Sequence, residues 1–325
     1  MMRPQQGVAL ITVLLVVALV TVICAGLTAR QQLAIRSTGN QLLARQALHY
    51  ALGGEALVQG ILSRDLREAE GDPRIPVDHP GEAWAKPLPL FPVEQGEIAL
   101  RVEDLSGRFN LNSLVRNGQV NALAVERFRR LLRLQGIDAP YPERLVDWLD
   151  ADQEASGSQG GEDGEYLLLN PAYRASNRAL ADTSELRLLL GMQEEHYRLL
   201  LPHVVALPAG APLNINTASP VVLACLSDSL TLALAETLIK GRGSEGYKDV
   251  QSFLSQPALA GSGLTATGLA VGSQYFLAYS EVRQGERRLR LASTLQRETN
   301  GQVRVLYRDL GLPPRLFVAT DDKEG

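Results

Sequence analysis

The chain opens on an apolar run that no charge interrupts. Val8 to Ala29 spans 22 residues; Arg3 is the only charged side chain before it and Arg30 the first after it. At 1.5 Å per residue this pattern predicts a helix of about 33 Å, enough to cross the hydrocarbon core of a bilayer. The helical pattern then continues. No Pro occurs between Arg30 and Glu70, and Leu48/Leu52, Leu57/Ile61 and Leu62/Leu66 pair at i, i+4. That is an apolar stripe on an otherwise polar helix. The two parts together predict a rod of about 60 residues and 90 Å. A globular domain rarely needs such a rod. A filament subunit does, with its inner half in the fibre and its outer half against its own head.

Beyond the rod, Asp72 to Pro92 holds Pro73, Pro76, Pro80, Pro87, Pro89 and Pro92, which predicts an extended linker. Glu97 to Asp104 alternates apolar and polar like a half-buried strand. Three more strands are predicted at 274–282, 287–297 and 302–308, the last two joined by a tight turn at Asn300-Gly301. Leu289, Leu291, Val303, Val305 and Tyr307 alternate with Arg288, Arg290, Arg304 and Arg308. This predicts one face on the long helix and a wet outer face. Ser106 to Ser273 is mainly helical, with helices over 121–135 and 179–201. The fold class is α+β: a long N-terminal helix on a small antiparallel sheet, with a large, mainly helical insert containing two helix-hairpin-helix or SAM-like units.

The division follows. Residues 1–7 form a leader, 8–29 a transmembrane segment, and 30–105 the rest of the rod, the linker and the first strand. Residues 106–273 form the insert, in two parts at about 106–205 and 206–273, and 274–325 complete the sheet.

The apolar core is too long for an ordinary secretory signal, and its weak small-residue site at Cys24-Ala25-Gly26 lies inside it. Ile23 before Cys24 does not fit a lipoprotein signal. A plain signal anchor and a pilin-like leader remain. In the second, a peptidase cuts after Gly7 on the cytoplasmic side and Val8 becomes the new N-terminus. Arg3 places that end in the cytoplasm.

The formal net charge of −4 gives no general attraction to nucleic acid or anionic lipid. Cys24 lies in the apolar helix and Cys225 is alone in the rest, so no disulfide framework is predicted and Cys225 reads as a buried small hydrophobe. His49, His79, His196 and His203 have no metal-ligand spacing, and no nucleophile elbow appears, so catalysis finds no support.

The insert contains a weak repeat. Phe109-Asn110-Leu111-Asn112-Ser113-Leu114 resembles Leu213-Asn214-Ile215-Asn216-Thr217-Ala218. Helix N-capping is the simpler role for these polar residues. The second copy, followed by a helix, looks like the start of a helix-hairpin-helix module, which grips DNA phosphates through a glycine-rich hairpin. Here the hairpin is Leu226-Ser227-Asp228-Ser229-Leu230, with no Gly and an acid where phosphate would sit. The segment Leu213 to Leu254 carries a net charge of −1. No nucleic-acid partner is expected, and a membrane-tethered DNA receptor is the competing function. Gly241-Arg242-Gly243-Ser244-Glu245-Gly246 matches GxGxxG but follows a helix, so it reads as a helix C-cap and turn.

The chemical signal is acidic. Asp147, Asp150, Asp152, Glu154, Glu162, Asp163 and Glu165 fall within 19 residues, around the flexible Ser156-Gly157-Ser158-Gln159-Gly160-Gly161. Such a loop can supply the six to eight oxygens that Ca²⁺ takes. It is no EF-hand, because Ala155 stands where Gly is required and Gly161 where the bidentate Glu belongs. A solvated acidic loop and a Ca²⁺ site both remain open on composition.

These parts in this order resemble the K-type minor pseudopilins of the type II secretion system over nearly the whole length. The match rests on the leader ending at Gly7, the rod, the insert with its two NxN repeats, and Asp147-Trp148-Leu149-Asp150-Ala151-Asp152 before the Gly-rich loop. The resemblance implies an inner-membrane protein with its bulk in the periplasm, processed by prepilin peptidase. It implies I- and J-type partners, then an H-type one, at the tip of a pseudopilus that promotes export of folded proteins. It also implies Ca²⁺ in the insert, with Asp147, Asp150, Asp152, Glu154, Glu162 and Asp163 as candidate ligands. Pilins place a Glu at the fifth mature residue, where this chain has Thr12, and N-methylate a first residue that is usually Phe and here would be Val8. Lack of the Glu suits a subunit with none ahead of it in the fibre.

Overall fold

The computed structural model describes residues 6–68 and 76–311; the leader residues 1–5, Pro73 of the linker and the chain beyond 311 lie outside the described residues. Helix α1 (Gln6–Glu68) runs without a break for 63 residues, about 95 Å at 1.5 Å per residue. From Ala9 to Gly39 its side chains are exposed, and at Asn40 the helix first meets the rest of the molecule, where Arg287 donates to its carbonyl and side-chain oxygens. It is a helix long and apolar enough to cross a membrane.

The outer part of α1 packs on a five-stranded antiparallel sheet. The strands are β1 (Phe91–Val93), β2 (Gly96–Asp104), β3 (Tyr275–Gln284), β4 (Arg287–Arg297) and β5 (Val303–Asp309), in that spatial order. β2 pairs with β3 from Gly96↔Gln284 to Asp104↔Phe276, so two strands distant in sequence form the centre. The insert leaves the sheet after β2 and returns at β3.

The buried stripe of α1 begins with small residues and ends in the predicted Leu62 and Leu66. Ala47, Ala51, Gly54, Val58, Leu62 and Leu66 face the sheet, whereas Leu57 of the predicted stripe points outward. The reason is distance: a Cβ on Gly54 would lie 2.6 Å from Leu100 Cδ2 and 2.8 Å from Ser280 Oγ. Only glycine lets the two backbones approach this closely.

Four further expectations need correction. The linker is part of the core rather than a plain extended spacer. Trp84 is buried edge-to-face on Phe276 at 5.3 Å, and Phe91–Val93 forms the edge strand β1, where Pro92 is tolerated. The outer face of the sheet is not uniformly wet, because Arg290 pairs at 3.2 Å with the buried Glu281 opposite it. Arg308 points inward instead of outward. A register shift in the β4–β5 pairing places Tyr307 opposite Thr294 but Val305 opposite Leu295. The extra residue, Leu306, reverses the alternation, so Tyr307 is exposed while Arg308 reaches Glu55 on α1 at 2.7 and 2.8 Å. Burial raises the Glu55 pKa, but hydrogen bonds from Arg308 and Ser293 outweigh it and the net direction is down. Lastly, 179–201 is not one helix: Asp182 caps a 3-10 turn at Thr183–Leu188, and Gly191 at φ 68° turns the chain before the next helix.

The insert is built on two cores. The first contains α2 (Ala122–Leu134), α3 (Tyr141–Leu149), α4 (Asp163–Tyr166) and α5 (Glu194–Leu200), packed around Phe128, Leu131, Tyr141 and Leu145. The second contains α6 (Pro220–Ala224), α7 (Leu232–Gly241) and α8 (Val250–Leu254), packed around Ile215, Leu223, Leu238 and Phe253. α7 ends at Gly241, and Gly243 and Gly246 turn the chain with positive φ.

Asn110 of the first NxN repeat caps the 3-10 turn Leu111–Leu114 by accepting from Asn112 N, whereas Asn121 and Ser219 cap the α-helices further on, and the second Asn of each repeat is a strap. Asn112 accepts from Leu180 N and donates to Leu180 O and Leu207 O. Asn216 accepts from Tyr247 N and donates to Tyr247 O and Val271 O. Each Asn therefore satisfies the backbone of two remote loops, in the same pattern. Each repeat also opens on a two-residue parallel pairing, Phe109–Asn110 with Val204–Val205 and Leu213–Asn214 with Leu269–Ala270.

Candidate functional site: the acidic centre and the joint to the rod

α3 ends in the acidic loop. Asp147 in its last turn is fully buried, and its carboxylate accepts from Ser156 N at 2.9 Å and Gly161 N at 2.7 Å. Those bonds fold the glycine-rich loop back over the helix end. Gly160 packs so close to Asp147 that a Cβ would collide with it. Asp163, at the start of α4, is taken by Arg174 at 2.6 Å and Ala175 N at 3.0 Å. Glu154 is exposed. Glu165 accepts from Glu162 N.

Three of the six candidate ligands converge. Asp150, Asp152 and Glu162 each offer an oxygen within 4.8 Å of the other two. Asp150 and Glu162 are buried, and Asp150 Oδ1 and both Glu162 oxygens have no hydrogen-bond partner among the described residues. Burial pushes Asp150 up to about 6, with Asp152 and Asp147 adding to it. Burial likewise pushes Glu162 up to about 7, with Asp147 the next contributor. Negative groups held together without a counter-charge are costly. Asn177 was not legible as a candidate. Its amide donates to Asp152 O at 3.1 Å, and its Oδ1 is buried without a partner. Behind the loop, Trp148, Tyr166 and Tyr173 pack with ring centroids 5.2 to 6.5 Å apart.

A second polar cluster joins rod, head and insert. Arg297 on β4 is 2% exposed. It donates to Asp65 on α1 at 2.8 Å, to both Asp78 oxygens at 2.6 Å and to Ser273 O at 3.0 Å. Its guanidinium lies 4.9 Å from the centroid of Phe276. Asp104, at the end of β2, accepts from Ser273 Oγ at 2.6 Å, Thr217 Oγ1 at 2.5 Å and Asn214 Nδ2 at 3.2 Å. Asp65, Asp78 and Glu82 are also within 4.8 Å of one another. Arg297 already supplies the positive charge there, and Glu82, pushed up to about 7 by burial, accepts from Trp84 Nε1 and His79 N. This cluster is a structural joint.

Along the rod, Thr12 Oγ1 donates to Ala9 O at 2.9 Å. Gly7 and Val8 lie in the first turn of α1, and their surroundings are outside the described residues. Cys225 is buried, with its thiol pushed up to about 12 by burial.

The model of type II secretion system protein K matches residues 107–209 and again, in a second part, residues 213–272. A protein of that name from Pseudomonas aeruginosa is 53% identical over 316 residues, covering 96% of this chain and 94% of that protein. Another from Klebsiella pneumoniae is 35% identical, covering 90% and 93%. The chain belongs to the type II secretion system protein K family. A crystal structure of the GspK-GspI-GspJ complex from enterotoxigenic Escherichia coli matches with a TM-score of 0.76 and 31% identity, over 85% of this chain and 99% of that chain. This protein K chain is thus a minor pseudopilin, a structural component of the secretion system. Nothing in the comparisons favours a DNA receptor, and Asp228 of the hairpin is held by Arg130 at 2.7 Å and Arg133 at 3.3 Å.

Proposed function

We propose that this protein K initiates and caps the pseudopilus as its tip subunit. α1 anchors it once in the inner membrane, with the N-terminus cytoplasmic and the head and insert periplasmic. Prepilin peptidase cuts after Gly7, leaving Val8 as the first residue. The rod then packs beside I- and J-type minor pseudopilins, with an H-type one following, and the insert blocks growth at its own end. The observation that carries this is the single unbroken helix whose outer part is fastened to a sheet and whose inner part, from Ala9 to Gly39, is exposed along its whole length among the described residues. Such a surface needs lipid first and other rods later. Thr12 in place of a Glu supports the tip position, because no buried carboxylate there needs a cationic neighbour.

The acidic centre is proposed to hold Ca²⁺. The donor set fits: Asp150, Asp152 and Glu162 are hard oxygen ligands, three of their oxygens are orphaned, and a 4.8 Å spread matches oxygens across a cation with bonds of about 2.4 Å. Asp147 positions the loop and Asp163 fastens α4. Bound Ca²⁺ would offset two of the three negative charges and tie the end of α3 to the start of α4. Its role is structural, since no reacting group adjoins it among the described residues.

Gly7→Ala tests the leader. The variant should stay uncleaved by immunoblot of membranes and should reduce secretion of exoprotein to the level of a strain lacking the protein. Normal processing with normal secretion would contradict the proposed role.

A further inference from the structure

The two cores of the insert meet along α2, and an arginine at that seam has no ion-pair partner among the described residues. Arg127 is 7% exposed. It donates one bond, from Nη1 to Thr267 O at 3.3 Å, across the seam. Its Nε and Nη2 are buried without a partner among the described residues. Burial disfavours its charge, Cys225 acts the other way and Arg130 adds to the burial effect, yet a guanidinium does not give up its proton at physiological pH. A buried cation in this state calls for an anion.

A cavity of about 90 Å³ lies beside it. Arg108, Arg116, Arg127, Ser113 and Asn121 are among its walls, with the backbone of Gly268, and no carboxylate lines it. Arg108 is paired with Glu103 at 2.8 Å, but Arg116 makes no ion pair among the described residues. Asp228, near the other side of Arg127, is already shared by Arg130 and Arg133. The volume equals about three waters at ~30 Å³ each, room for one carboxylate or sulfate-sized group and too little for a nucleotide.

We propose that this seam is an oxyanion-binding site in which Arg127 and Arg116 hold a carboxylate or a tetrahedral oxyanion and so lock the two halves of the insert together. Two orphaned N–H groups on a buried guanidinium suit an oxygen pair, which takes charge-assisted bonds in a fork. The site is independent of the acidic centre, which binds the opposite charge. It is also independent of the tip role.

The test is thermal melting of the full chain in detergent, in buffers of matched ionic strength containing sodium chloride, sulfate or acetate. Sulfate stabilises proteins in general by exclusion, so each anion is read as the difference between the parent and Arg127→Met. The parent should gain about 5 °C more than the variant, saturating at millimolar anion. In chloride alone Arg127→Met should melt at or above the parent, because an unpaired buried charge has been removed. If Arg127→Met does not fold, Arg116→Gln serves instead. It should leave melting in chloride unchanged and shift the sulfate midpoint several-fold upward. Saturation by acetate assigns a carboxylate, and saturation by sulfate alone assigns a tetrahedral oxyanion. Equal responses of parent and variant to both anions, or an unmoved midpoint in Arg116→Gln, overturn the proposal.

Discussion

Arg297→Ala is expected to destabilise the protein by about 3–5 kcal/mol, because it leaves buried carboxylates without their partner. Asp78 is fully buried and receives two of its bonds from Arg297. Asp65 on α1 loses its anchor to β4 at the same time. For a head of this size the melting temperature should fall by roughly 10 °C. The loss should be largely reversed in Arg297→Met combined with Asp65→Asn and Asp78→Asn, since removing every charge removes the unpaired one as well. Calorimetry on the single and triple variants distinguishes the two. A single variant within 1 °C of the parent would mean that the rod and head are held by other contacts.

Removal of Ca²⁺ should have the second large effect. With chelator, the protein is expected to melt several degrees lower near neutral pH, and Asp150→Ala should abolish the difference between chelated and Ca²⁺-loaded protein. The pH dependence has a definite sign. The folded values of Asp150 and Glu162 lie above those of an unfolded chain, at about 6 and about 7. The metal-free folded state therefore holds extra protons between about pH 4 and 7, and stability from these two groups is lost as pH rises through that window. Ca²⁺ takes the place of those protons, so its benefit should grow from pH 5 to pH 7.5. Melting curves with and without chelator at the two pH values check this. A Ca²⁺ effect that is equal at both, or missing at both, contradicts the assignment.

Much of this arrangement was legible because long-period patterns are robust. The uncharged run and Pro-free continuation predict α1, and alternation predicts β2, β4 and β5. Tertiary effects account for the misses. Leu62 and Leu66 of the predicted stripe of α1 are buried, but further up the helix close approach to the sheet selects Ala47, Ala51 and Gly54. Arg308 was misplaced because a single bulged residue, Leu306, reverses the side-chain phase, and nothing local marks it. Arg297 could have been found, since Leu289, Leu291 and Leu295 already set its inward parity. An inward arginine requires acids, which Asp65 and Asp78 supply.

At the acidic centre, composition marked the segment in which Asp150, Asp152 and Glu162 converge but not the division of labour. Asp147, Asp163 and Glu165 have the same chemistry as Asp150 and Glu162, and only the fold shows that backbone amides and Arg174 already occupy them. Asn177 lies 25 residues from Asp152, with no pattern linking them. The NxN repeats were visible as repeats, but their partners, Leu180, Leu207, Tyr247 and Val271, depend on chain closure over long separations.

The most direct test of the tip role is assembly. Co-expression of the full chain with the I- and J-type minor pseudopilins of its own system, followed by gentle extraction and size-exclusion chromatography with mass determination, should give one complex with a single copy of each. A protein K that elutes alone while the I- and J-type subunits elute together would contradict the account.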